Sequence, residues 1–322
     1  MNNRDALLAV LALIVAGAAL PAPALGAEEP PAWAYPVNPP GLKPSPDDGT
    51  LRRVPGSAAA FTLTQVRDRH FSPVWHPDEH PSQPEVVARG RKPDVAACGF
   101  CHRADGPGGP ENANLAGLPA SYIVQQAADF KTGARKSSVP KRNIDQKLAM
   151  FQAATDAEVA AAAAYFSTLK PRRIIKVVET DTVPKTFITA NHLAADKTGE
   201  TEPIGQRIIE VPEDLERFIS RDTHAVFIAY VPVGSIEKGK TLATGGGGKT
   251  VPCSTCHGAD LKGLGPIPGI AGRSTNYTVR QLYDFKHGSR AGIGSALMKP
   301  SVEKLTVDDM LVLAAYLASL AP

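Results

Sequence analysis

The chain has 322 residues, 43% of them hydrophobic and only 6% aromatic, with a formal net charge of +3. That length holds sizeable cores and suits two or three domains. Lysine and arginine are scattered and never run together with aromatics, which sets nucleic-acid binding aside.

Taken in chain order, residues 1–27 read as a secretory signal peptide. Arg4 is followed by an apolar run over 6–20 and then by "PAPALGA", whose small residues at 22–24 or 25–27 offer a cleavage site. The apolar run, about 15 residues, is short of the roughly 20 that span a bilayer, and no later segment comes closer. No cysteine stands near the cleavage region, so a lipid anchor is not supported. The expectation is an exported, periplasmic protein with no membrane span once the peptide is removed.

Residues 28–84 form a Pro-rich extension, whose first part, 28–56 with "PPAWAYPVNPPGLKPSP", predicts an extended lead-in, flexible or wrapped along a surface. It carries His70, His76 and His80 in "RHFSPVWHPDEHPSQPE". Prolines there prevent a regular ligand-bearing helix, so the cluster reads first as a solvated or docking segment and second as one that could reach the first haem or bind adventitious metal.

The four cysteines sit in two copies of one pattern, Cys98-Gly-Phe-Cys101-His102 and Cys253-Ser-Thr-Cys256-His257. Export favours disulfides, but a cysteine pair with histidine directly behind it is the attachment motif for c-type haem. Residues three apart share one face of a helical turn, so both thiols reach the two vinyl groups of one porphyrin and the histidine turns to the iron. A thioredoxin-like site explains one Cys-x-x-Cys but neither the histidines nor the duplication. A zinc site would recruit both pairs yet leave the repeated flanks unexplained.

Those flanks repeat in register. Tyr122 and Tyr277, Asp129 and Asp284, Gly133 and Gly288, and Arg135 and Arg290 all differ by 155, the offset of His102 and His257. Self-similarity of this kind marks a duplicated unit. Each unit closes on an amphipathic helix, "ATDAEVAAAAAYFSTL" and "LTVDDMLVLAAYLASL", now at an offset of 151. Thr155 and Thr306 are the expected N-caps, with Glu158 and Asp309 completing capping boxes. The apolar stripes are Val159, Ala162, Ala163, Phe166 and Leu169 in one helix, and Met310, Leu313, Ala314, Leu317 and Leu320 in the other.

A glycine-bearing helix before Cys-x-x-Cys-His, a second helix with "DFK.G.R" and a closing helix with "AAY" resemble class I cytochromes c, twice over, across 85–170 and 235–322. The resemblance implies a mainly α protein: two tandem class I cytochrome c domains with a small β-rich insert between them. It implies two covalently bound haem c, attached at Cys98, Cys101, Cys253 and Cys256, with His102 and His257 on the irons. In that family the opening and closing helices cross near a glycine and an aromatic, for which Gly90 with Tyr165 and Gly239 with Tyr316 stand here.

Family members usually supply a methionine as the sixth ligand from the loop before the closing helix. Met298, in "ALMKP", is the expectation for the second haem, while Met310 lies on the apolar stripe and reads as core. In the first unit the closing-helix offset puts Lys147 opposite Met298, and Met150 lies three residues nearer the helix. Met150 is the expected ligand, with Lys147 or a histidine from elsewhere as alternatives. The two offsets differ by four, so this loop carries an insertion.

Residues 171–234 hold the β-prone runs "RIIKVV", "RIIEV" and "HAVFIAYVPV". Gly245 to Gly248 predict a flexible loop, with no Gly-Lys-Ser/Thr to make a phosphate site. The whole reads as a diheme electron relay between periplasmic redox proteins. The competing readings are a haem enzyme, a peroxidase or small sulfur-compound oxidase, with a displaceable sixth ligand on the first haem, and the cytochrome subunit of an exported dehydrogenase complex.

Overall fold

The computed structural model describes residues 28–140 and 142–322, so the signal-peptide reading of 1–27 lies outside the described residues. No helix among those described is long and apolar enough to cross a membrane.

The Pro-rich lead-in is wrapped and fastened. The Glu28 carboxylate accepts from the Lys286 ammonium at 2.7 Å and from the Val307 amide at 3.0 Å. Tyr35 donates to Asp284 at 3.2 Å, and Arg280 donates to the Ala34 carbonyl at 2.8 Å. Farther along, α1 (Leu63–Arg67) packs with Val54 and Trp75, whose indole N–H reaches the Ser220 carbonyl at 2.8 Å. Proline denies this stretch its own ladder of backbone bonds, so side chains of the rest of the molecule satisfy it instead.

In the first repeat, α2 (Glu85–Ala88) is followed by α3 (Cys98–His102), α4 (Ala120–Lys131), α5 (Arg142–Ala153) and α6 (Asp156–Thr168). Val87, Ala162 and Phe166 share its core. Between the repeats lie seven short strands, β1 (Ile175–Glu179), β2 (Thr182–Pro184), β3 (Thr186–Thr189), β4 (His192–Ala195), β5 (Thr201–Pro203), β6 (Ile209–Pro212) and β7 (Phe227–Val231), with α7 (Leu215–Ile219) before the last. The central sheet runs β1-β7-β6, β7 parallel to β1 and antiparallel to β6. The second repeat contains α8 (Ser235–Gly245), α9 (Ser254–His257), α10 (Thr275–Lys286), α11 (Ser295–Val302) and α12 (Val307–Ser319). Gly246 to Gly248, expected as a loop, make a single 3₁₀ turn after α8.

The strand segment is pinned to the second repeat by Glu210 on β6. Its buried carboxylate accepts from Ser274 and from the Asn276 amide at 3.0 and 2.9 Å, and also from Thr275, at the N-terminus of α10. Burial raises its pKa, while the orphan amides and the helix dipole favour the charge.

Both closing helices start as their sequences predict. Thr155 and Glu158 form a reciprocal capping box, as do Thr306 and Asp309. Met310 is fully buried in the second core, as expected. The helix crossings divide. At Gly239 an added Cβ would lie 1.9 Å from the Val312 carbonyl oxygen and 2.8 Å from Tyr316 Cβ, so only glycine lets α8 approach α12. Gly90 has no such role. It sits at φ +67 beyond the end of α2, its amide bonded to the Glu85 carbonyl at 3.0 Å, and an added Cβ would strike the Val95 carbonyl rather than Tyr165. Pro84 before α2 and the left-handed turn at Gly90 confine that helix to one turn, too short for a long crossing.

Candidate functional site

One cavity of about 1190 Å³ runs between the two repeats. It exceeds the roughly 300–1,000 Å³ of a single small-molecule pocket. Its lining includes Cys98, Cys101, His102 and Met150 from the first repeat, and Cys253, Cys256, His257 and Met298 from the second. Lys147 lines it too. Every sequence-derived site residue is therefore brought to the lining of one space.

The local chain explains the geometry. Cys98 and Cys101 begin and nearly end a short helix, with His102 as its last residue. The second copy is built the same way, Cys253 capping the turn that ends at His257. After each histidine the chain turns at positive φ, at Arg103 and at Gly258, and comes back over the ring. That return supplies a carbonyl: His102 Nδ1 pairs with Ala113 O at 2.9 Å and His257 Nδ1 with Pro268 O at 2.7 Å. A carbonyl only accepts, so Nδ1 carries the proton and Nε2 keeps its lone pair, the tautomer an iron ligand needs. Ala113 and Pro268 are themselves 155 apart, so the supporting bond belongs to the repeat. Burial pushes His102 down to about 3 and lowers His257, holding both rings neutral. Burial also raises Cys98 to about 12 and Cys253 to about 11.

The methionines expected as sixth ligands both lie on the helix before the closing one. In the second repeat this is α11, eight residues long, with Met298 beside the core of α10 and α12. In the first it is α5, twelve residues long. The four-residue insertion is thus about one extra helical turn. Lys147 and Met150, three apart on α5, both reach the cavity. Met150 packs against the apolar core of the repeat, and the Lys147 ammonium lies 5.4 Å from the centre of the Phe130 ring. Burial lowers the Lys147 pKa. None of His70, His76 and His80 lines the cavity.

Where the repeats meet, a local twofold relation appears. The amide of Lys136 donates to Ser289 O at 2.6 Å, and that of Ala291 to Ala134 O at 2.8 Å, each pair the other's image under the 155 offset. Arg135 donates to Tyr277 at 3.1 Å and Gln281 at 2.8 Å, while Arg290 donates to Tyr122 at 2.7 Å and Gln126 at 2.8 Å. Arg135 also covers Phe130, and Arg290 covers Phe285. Arg135, Arg273 and Arg290 all line the cavity, and none of the three makes an ion pair among the described residues. Sequence reading singled out Arg135 and Arg290 only as repeat markers; their pairing across the junction had no signal beyond that offset.

These residues fit the group the motif implies. Two thiols beside one neutral, oriented imidazole occur twice, in a cavity too large for one ligand, with unneutralised buried guanidiniums suited to the carboxylates of a porphyrin. A four-cysteine zinc site does not fit, since among the described residues the cysteines belong to no metal-sized cluster.

The family model for cytochrome c matches residues 87–170 and again 236–321. A curated cytochrome c4 from Azotobacter vinelandii is 25% identical over 70% of this chain and 85% of its own length. A thiosulfate dehydrogenase electron acceptor from Thiomonas intermedia is 27% identical over 70% and 80%. A solved cytochrome c4 from Pseudomonas stutzeri is 23% identical, covers 70% of this chain and 95% of that one, and superposes with a TM-score of 0.46. The chain thus belongs to the cytochrome c family, as a class I diheme member that carries two covalently bound haem c and takes part in electron transfer.

Proposed function

We propose that this protein relays single electrons between exported, periplasmic redox partners, with His257 and Met298 on one iron and His102 and Met150 on the other. Each haem, when bound, supplies an iron that changes oxidation state by one electron. The chain's own part is to hold that iron without exchange of ligands. The observation that carries the reading is that both Cys-x-x-Cys-His turns, Met150 and Met298 line one cavity. Two irons held in a shared apolar space need no long protein path between them. Thioether ligation raises a potential, whereas Nδ1–H donated to Ala113 or Pro268 raises the basicity of the ligating nitrogen.

Access favours the second haem as the point of exchange. Cys256 is exposed, and Ile293 and Leu297, which line the cavity with Met298, are 83% and 76% exposed, whereas Cys98 and Cys101 are only partly exposed. The Thiomonas relative's name makes a sulfur-compound dehydrogenase a reasonable donor to test.

A second reading puts Lys147 on the first iron. Lys147 stands eight residues before the N-cap Thr155, as Met298 stands eight before Thr306. Spectra of Met150→Ala, Lys147→Ala and Met298→Ala holoprotein decide. Two low-spin haems that each lose thioether–iron absorption in one methionine variant support the proposal. Perturbation by Lys147→Ala with no effect of Met150→Ala supports the lysine ligand. A high-spin haem in the unmodified protein that binds cyanide rapidly overturns the carrier reading in favour of a haem enzyme.

A further inference from the structure

Outside the haem cavity, the extension and the strand segment meet at a second cluster of metal-ligating groups. His76, Glu79 and His224 each offer one ligand atom, and these atoms lie within 4.8 Å of one another. His76 and Glu79 are three apart on a 3₁₀ turn, closed by the Glu79 amide on the His76 carbonyl at 3.2 Å. In that helix residues i and i+3 eclipse, so imidazole and carboxylate point the same way. His224 arrives from the loop between α7 and β7, its ring stacked on His76 at 3.8 Å between centroids and 8° between planes.

The surroundings are arranged around these donors. His76 Nε2 pairs with Asp222 Oδ1 at 3.1 Å, and Asp222 has no exposed side-chain surface. The other Asp222 oxygen accepts from Arg217 at 2.6 Å, and its Oδ1 also takes the His224 amide at 3.0 Å. A carboxylate held this way is an acceptor, so His76 donates from Nε2 and keeps a lone pair on Nδ1. That is the carboxylate–histidine arrangement that backs ligands in metal centres. His224 Nε2 lies 2.8 Å from Glu79 Oε2. Arg172 also pairs with that carboxylate.

We propose that His76, Glu79 and His224 bind one divalent transition-metal ion of the zinc class, with Asp222 supporting His76 from behind. Two imidazoles and one carboxylate are a borderline donor set that suits zinc and leaves a coordination position for water. Near-parallel rings hold their lone pairs in separate parallel planes, so one ion cannot lie in both and ligation requires one ring to tilt. His224, with 27% of its side chain exposed against 6% for His76, is the ring free to do so. The ion displaces the proton between His224 and Glu79, takes over the counter-charge Arg172 provides, and ties the extension to the strand segment.

The test uses the dialysed diheme holoprotein titrated with Zn²⁺ alone, with bound zinc counted against haem iron. The expected result is one zinc per two irons and a raised thermal midpoint. His224→Ala is expected to weaken binding by at least about 100-fold, since loss of a direct ligand exceeds the 10–100-fold cost of an outer-shell change. Glu79→Gln, at an exposed position, is the second variant, and unchanged haem absorption reports that each variant is folded. Absence of zinc uptake by the unmodified protein overturns the proposal, and so does uptake equally tight in both variants, which would place the ion elsewhere.

Discussion

The two repeats share one Cys-x-x-Cys-His turn and differ in the helix that carries the candidate sixth ligand. On the attachment side the match is complete down to the backbone: a helical turn with two cysteines, a histidine at its end, and a carbonyl 11 residues on that takes the Nδ1 proton. On the other side α5 is one turn longer than α11, and the residue in register with Met298 is Lys147. The attachment reaction tolerates one spacing and one ring orientation, whereas several side chains satisfy a sixth coordination position. Divergence has therefore collected where the chemistry is permissive.

Removing attachment tests the independence of the two ends and has the largest expected effect. Cys253→Ser with Cys256→Ser should leave a protein with one covalent haem by intact mass, and Cys98→Ser with Cys101→Ser should do the same for the other end. Loss of both haems in either variant would show that the repeats do not load separately.

Gly239→Ala probes the crossing that only the second repeat has. The added Cβ, 1.9 Å from a backbone carbonyl, cannot be absorbed by a side-chain shift. We expect a loss of about 3 kcal/mol, at the upper end of overpacking costs, read by denaturant titration. A cost near zero would mean that α8 and α12 move apart without penalty.

The capping boxes are the shared feature, so they should respond alike. Thr155→Ala and Thr306→Ala should each lower stability by about 1 kcal/mol. The smallest effect is in the pH dependence. The Arg91 bond and the capping amide hold Glu158 below the usual carboxylate range of about 4.5. A depressed folded-state pKa gives stability that is present above 4.5 and lost as pH falls through the folded value. Glu158→Gln should therefore flatten the acid limb of the stability curve relative to the unmodified protein while leaving neutral spectra unchanged.

The duplication was legible because haem attachment constrains residues at fixed short spacings, and the 155 offset carried through Tyr122, Asp129 and Arg135 to their partners. The closing helices were legible through their caps and their 3.6-residue stripes. Gly90 misled because a glycine near the right place says nothing about which backbone it must approach, and Pro84 shortens the helix that would have crossed. The extension's prolines left open whether it is flexible or wrapped along a surface, because the partners that fasten it, Lys286, Val307 and Arg280, lie some 250 residues away. The stacking of His76 on His224 has no local sequence signal for the same reason.

By itself, then, the sequence determined the covalent chemistry: four cysteines and two histidines whose spacing commits them to haem. Only the tertiary structure decided what surrounds it. The carbonyls of Ala113 and Pro268, the exchange of Arg135 and Arg290 across the junction, and the meeting of His76 with His224 are contacts between segments distant in the chain or between backbone groups. Local spacing encodes neither, because such contacts form only when burial of the two cores brings their elements together.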